Sequence, residues 1–257
     1  MNEWVEKSIE LANSTDYLDR LQEVYPVTIG LRRVLPEETK RSIKQAYDHR
    51  NSHQLVKMLL KLKKFPIKDP YVAYLRKKDG FLQLNPQTIQ RIANALYDMD
   101  FQDIIDGCEE PKEFNRQIGS LFGNWLPRVG YPMVAERDLV NATGTAFLKG
   151  SDQDKKRFAN DVLGCNLDKG PDLLAKVSNW YVVGEAKFLT DSGGHQNAQF
   201  QDALRLLRGT EGRTIRIAVL DGVVWIRGNS KMNTTVRQLD KVCLSALLLR
   251  DFLQSLS

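Results

Sequence analysis

The stretch GPDLLAKVSNWYVVGEAKF, Gly170 to Phe188, constrains the fold more than any other part of the chain. DLLAKV and WYVVGEAKF are two strand-like runs separated by Ser178-Asn179, a pair suited to a two-residue turn. The spacing predicts two antiparallel strands joined tightly. Alternate residues of a strand share a face, so Glu185 and Lys187 point the same way, roughly 7 Å apart along the backbone. Trp180, Val182, Gly184, Ala186 and Phe188 fall on the other face, where they can pack on a core. The turn folds Asp172 back beside Glu185.

Two neighbouring carboxylates repel each other, and burying them costs several kcal/mol unless something compensates. A divalent cation compensates well: Mg²⁺ takes one or two carboxylates and accepts phosphate oxygens as further ligands. An adjacent lysine can orient or deprotonate a water and offset charge on a phosphate. The backbone carbonyl of Ala186 is a candidate third ligand. An E-x-K strand alone is most often a surface ion pair. Pro171-Asp172 at thirteen residues' distance, the turn and the apolar strand around the charges favour a phosphodiester-hydrolysing site instead.

Pro171-Asp172 followed by Glu185-Ala186-Lys187 resembles the PD-(D/E)XK nuclease superfamily, and EAK is a form common among type II restriction endonucleases. The resemblance covers roughly residues 150–226. It implies an α/β (α+β) chain with a restriction-endonuclease-like mixed β-sheet core flanked by helices. It further implies that Asp172 and Glu185 bind Mg²⁺, with Mn²⁺ able to substitute, and that Lys187 positions the attacking water. The activity implied is sequence-specific cutting of double-stranded DNA by a homodimer, in the cytoplasm of a prokaryotic cell. The alternatives are a repair or recombination nuclease acting on DNA structure, and a non-catalytic DNA-binding relic, against which the intact Asp172, Glu185 and Lys187 argue. Some members of the superfamily add an acid from a helix, for which Glu136 and Asp154 are the candidates here. Directly after the charged strand, FLTDSGGHQNAQF supplies Gly194, His195, Gln196, Asn197 and Gln199 as DNA-binding candidates, or else a loop and a polar helix start.

The remainder sets this core in context. Residues 1–130 read mainly as helix and 131–257 as the nuclease core. EWVEKSIELAN carries an apolar stripe, and LNPQTIQRIANALYDM has Asn85 as a candidate N-cap with Pro86 at the first helical position. LFGNWLPRVGYPM, rich in Gly, Pro and aromatics, reads as a connector. GSDQDKKRFANDVLG reads as a capped helix, NAQFQDALRLLRG as a second and LSALLLRDFLQ as a third. RTIRIAVL and VVWIRG read as a hairpin turning at Asp221-Gly222.

Net charge is +5, unevenly spread: twelve Lys or Arg lie between Lys40 and Lys78 against only Asp48 and Asp69. That surplus is either a solvated helix face or a surface for a polyanion. No run suits a membrane span, the start is unlike a signal peptide, and the three cysteines form no CxxC pair. An intracellular protein is the expectation. His49 and His53 lack the glutamate of a zinc-protease helix, and the absence of a Walker loop excludes ATP-driven cutting from the reading.

Overall fold

The computed structural model describes residues 1–26, 34–78, 80–111, 118–209 and 212–257. They form two compact units, Met1–Val27 with Glu113–Ser257, and Thr28–Lys112. The first unit holds a six-stranded mixed sheet in sequential order: β1 (Met133–Val134), β2 (Ala146–Leu148), β3 (Leu173–Val177), β4 (Trp180–Leu189), β5 (Thr214–Gly222) and β6 (Val242–Leu244). β1 and β2 are parallel, β2–β3 and β3–β4 antiparallel, and β4–β5 and β5–β6 parallel. With its helices this is a restriction-endonuclease-like α+β fold, as expected.

The β3–β4 hairpin closes with Val177 opposite Trp180, and Ser178 takes the left-handed conformation (φ 51°) that so short a turn demands. Parallel pairing of β4 with β5 needs a long crossover, supplied by the helix Gly194–Leu206. β4 and β5 are covered on both faces. Val182, Ala186, Ile217 and Val219 join a large core with Phe122, Phe200, Trp225 and Phe252. Val183 and Leu174 join a smaller one with Phe158 and Leu148. Trp180, expected on the core face, is 41% exposed at the turn end of the hairpin.

Several expectations are revised. The helices Glu3–Ala12 and Tyr17–Val24 belong to the sheet unit rather than to a helical half ending at residue 130. Their apolar stripe explains this: Trp4 meets Phe252 edge-on at 5.4 Å, and Val5, Tyr17 and Leu21 are buried in the large core. The supposed connector contains a helix, Ile118–Trp125, followed by a 3-10 turn, Leu126–Val129. Ile118, Phe122, Leu126 and Val129 recur at helical spacing on its buried side, which outweighs the glycines between them.

Asp221-Gly222 is not a reverse turn. β5 runs straight through it, and Val223–Trp225 is a 3-10 turn rather than a strand. Gly222 is required because a Cβ there would stand 2.2 Å from the carbonyl oxygen of Leu189 on β4, and because its φ is 90°. The expected capped helix is Asp152–Asp161, with a reciprocal capping box between Ser151 and Asp154.

The second unit is helical among its described residues: Glu37–Asp48, Ser52–Leu60, Val72–Leu75, Phe81–Leu84, Pro86–Tyr97 and Phe101–Glu109. Ile43, Leu55, Leu59, Ile92, Leu96 and Ile104 form its core. Asn85 occupies the N-cap position before Pro86, but its side chain donates back to the Phe81 carbonyl (2.6 Å) instead of capping.

Candidate active site

Asp172 is the residue just before β3, and Leu173 pairs with Gly184, so Asp172 falls level with Glu185. The backbone N–H of Ala186 donates to Asp172 Oδ2 at 2.8 Å, which ties the carboxylate to β4. The Asp172 carbonyl accepts from the buried Lys155 Nζ at 2.9 Å. Gly119 lies against its other oxygen; a Cβ there would be 3.1 Å from Oδ1. The site thus has a fixed acid with room left beside it.

Glu185 is 3% exposed. Its Oε1 accepts from Lys187 Nζ, two residues on along the same face of β4, and from Lys169 Nζ at 2.5 Å. Burial, and then the charge of Glu185, raise Asp172 from the ordinary aspartate value to about 6; Lys187 pulls in the opposite direction. Two carboxylates are therefore held together against their repulsion, with two ammonium groups only partly offsetting it.

Lys169 is the residue that sequence reasoning missed. Its loop is brought to Glu185 by Gly170, which packs so closely on the Asp152 backbone that a Cβ would stand 2.0 Å from the Asp152 carbonyl oxygen. No local spacing encodes that contact. A cavity of about 570 Å³ opens beside Glu185, walled by Lys169, Arg205 and Arg208 and closed by Arg216, which donates to the carbonyls of Cys165, Leu206 and Arg208. A second, of about 450 Å³, adjoins Asp172 and includes Gly119, Asp152 and Lys155.

The other candidates are placed differently. Glu136 forms an exposed ion pair with Arg157 (3.1 Å), and Asp154 is engaged in the capping box and with the same arginine. Asp152, not singled out from sequence, is the further acid that lines the cavity beside Asp172. Gly194, His195, Gln196, Asn197 and Gln199 form the first turns of the helix Gly194–Leu206 rather than a loop. His195 and Gln199 are exposed or half-exposed and bond each other at 3.1 Å, whereas Gln196 is buried with Oε1 unpartnered. Among the described residues no three His, Cys, Asp or Glu side chains converge as a metal cluster.

Asp172 just before β3, with Glu185 and Lys187 on β4, sits in a helix-flanked mixed sheet of the restriction-endonuclease-like class. The comparison with family models agrees: the model described as Tsp45I type II restriction enzyme matches residues 2–256. The chain belongs to the Tsp45I type II restriction enzyme family, and is a restriction endonuclease acting on DNA. No curated protein and no solved structure matches it. Among the described residues no helix is long and apolar enough to cross a membrane.

Proposed function

We propose that Asp172, Glu185 and Lys187 form a Mg²⁺-dependent phosphodiester-hydrolysing centre that cuts double-stranded DNA at a short specific sequence. The observation that carries this reading is the convergence of the two carboxylates, against their repulsion, with Lys187 on the same strand face. The donor set suits a hard cation: carboxylate oxygens of Asp172 and Glu185, with the Ala186 carbonyl as the third ligand. Mn²⁺, with similar preferences for oxygen, substitutes. When bound, the ion supplies a nearby positive charge to stabilise the developing negative charge on the phosphate and to acidify a water.

The chain's own groups do the rest. The Ala186 N–H and Lys155 hold Asp172 in place, so little reorganisation is needed on substrate arrival. Lys187 Nζ, held against Glu185, positions the attacking water and offsets charge on the phosphate. Cutting both strands of a symmetric site is most simply done by two such centres related by a two-fold axis, so the active species proposed is a homodimer.

The test is digestion of a long phage DNA by the purified protein with Mg²⁺, with Mn²⁺ and with EDTA. Discrete fragments with either ion and none with EDTA are expected. A smear would remove the sequence specificity, and cutting in EDTA would remove the metal.

Lys169 bears on the same carboxylate. Because its ammonium contends with an incoming cation for Glu185 Oε1, Lys169→Met is expected to tighten Ca²⁺ binding about fivefold. That corresponds to about 1 kcal/mol of lost charge competition, modest because the Lys169 side chain is itself largely exposed to water. Calorimetric titration reads this without turnover, and an unchanged affinity would show that Lys169 does not reach Glu185 in solution.

A further inference from the structure

The helical unit carries a recess of about 340 Å³ at the end of the helix Ser52–Leu60, lined by Lys57, Lys61, Lys63 and Arg76 over a floor of Leu60, Leu75 and Leu82. Among the described residues no acidic side chain lines it. Four other cations of this unit have carboxylate partners: Lys40 with Glu37 and Glu109, Lys44 with Asp48, Lys64 with Glu110 and Arg91 with Asp69. Among the described residues no ion pair reaches the four around the recess.

We propose that this recess is a docking site for the sugar–phosphate backbone of DNA, separate from the Asp172–Glu185 centre. The inference rests on the reading of the chain as a DNA-cutting enzyme, which supplies the identity of the polyanion. Three observations carry it. Four cations converge on one concavity, more than is needed to complement the negative end of a single helix, where a cation is worth about 0.3–1 kcal/mol. The site is held ready, because Leu60, Leu75 and Leu82 are buried and Arg76 Nη2 is fixed on the Leu62 carbonyl at 2.8 Å. Directly before Leu75 and Arg76 in the chain, Tyr74 is 57% exposed and stacks on Phe81 with ring centroids 4.6 Å apart, which leaves an exposed aromatic on the same unit as the basic groups. Basic groups with an exposed aromatic are the composition of a nucleic-acid surface. The contact is to phosphates, so it adds affinity and salt dependence without selecting bases.

The test compares the full-length wild type with the triple variant Lys57→Gln, Lys61→Gln, Lys63→Gln on a 30-base-pair duplex, without metal, between 50 and 200 mM KCl. Each neutralised phosphate contact changes the slope of log K against log [salt] by about 0.9. The variant is expected to lose about 2–3 of that slope and roughly 100-fold in affinity at 100 mM, with an unchanged melting temperature because its lysines lie outside the core. Lys57→Arg, Lys61→Arg, Lys63→Arg restores both. An unchanged slope overturns the proposal, as does a loss that the arginine set fails to restore. Digestion with Mg²⁺, run in parallel, separates this from the catalytic reading. A wild type that cuts while the triple variant binds normally sinks the recess alone, and a wild type that binds but never cuts sinks the catalytic centre alone.

Discussion

Lys187→Ala is expected to slow single-turnover cutting by at least about 1,000-fold, which corresponds to roughly 4 kcal/mol of transition-state stabilisation. DNA binding should change far less. In the proposed centre Lys187 is the group on β4 that would accompany the reacting phosphate while Glu185 holds the metal, and its ammonium is largely sheltered from water. Lys187→Arg should not rescue, because a planar guanidinium cannot replace a compact ammonium beside one carboxylate oxygen. Asp172→Asn should be equally inactive and yet more stable. Burial and the charge of Glu185 raise the folded-state Asp172 to about 6, above its unfolded value of 3.8. A carboxyl raised in this way contributes stability that is complete below about pH 4 and is lost as pH rises through about 6. At pH 8 the neutral amide avoids that loss, and its Oδ1 can still accept from the Ala186 N–H. Melting in EDTA should show a gain of roughly 1–2 kcal/mol after allowance for partial solvation, shrinking towards pH 4. An equal loss of activity with no gain in stability would mean that the two carboxylates are not held against each other.

Much of this centre was legible in the sequence because it is built from neighbours. Strand alternation put Glu185 and Lys187 on one face, and the two-residue turn put Asp172 level with Glu185. The helices beginning at Pro86 and Asp152 were equally local, one marked by proline and stripe, the other by Ser151 and Asp154. What failed was decided at a distance. Lys169 reaches Glu185 only because Gly170 sits against Asp152, and the first two helices leave the helical region because Trp4 finds Phe252. Asp-Gly is strong hairpin chemistry taken alone. At Asp221-Gly222 it is overruled by tyrosines nearly 200 residues earlier and by the close approach of β4. The PD…EAK pattern therefore pointed to the groups that converge, Asp172, Glu185 and Lys187, but not to the residues that brace them.

Asp221 is the strongest case of such bracing, and Asp221→Ala should cost about 4 kcal/mol of stability or more. The carboxylate is fully buried, and Tyr17 (3.1 Å) and Ser245 (2.5 Å) donate to Oδ1, while Tyr25 (3.0 Å) and the Ala246 N–H (3.2 Å) donate to Oδ2. It joins the helix Tyr17–Val24, the end of β5 and the turn after β6. Alanine leaves four buried donors facing a void, each costing about 1–3 kcal/mol when unpartnered, less whatever relaxation recovers. Asp221→Asn is a gentler change. Its Oδ1 can face the Ala246 N–H and Tyr25, while its Nδ2 donates to the hydroxyls of Tyr17 and Ser245, which can rotate to accept. The pH dependence distinguishes the two. Burial raises Asp221 to about 7 despite its four donors, so its contribution is complete below about pH 4 and is lost as pH rises through 7. The wild type should therefore lose on the order of 3–4 kcal/mol from this group between pH 4 and pH 8. Asp221→Asn should flatten that part of the profile, and Asp221→Ala should lower stability across the whole range. Urea unfolding at pH 5 and pH 8 measures both, and limited proteolysis of Asp221→Ala should cut first near the two N-terminal helices. An alanine variant as stable as the wild type would show that these helices are held by their apolar stripe alone.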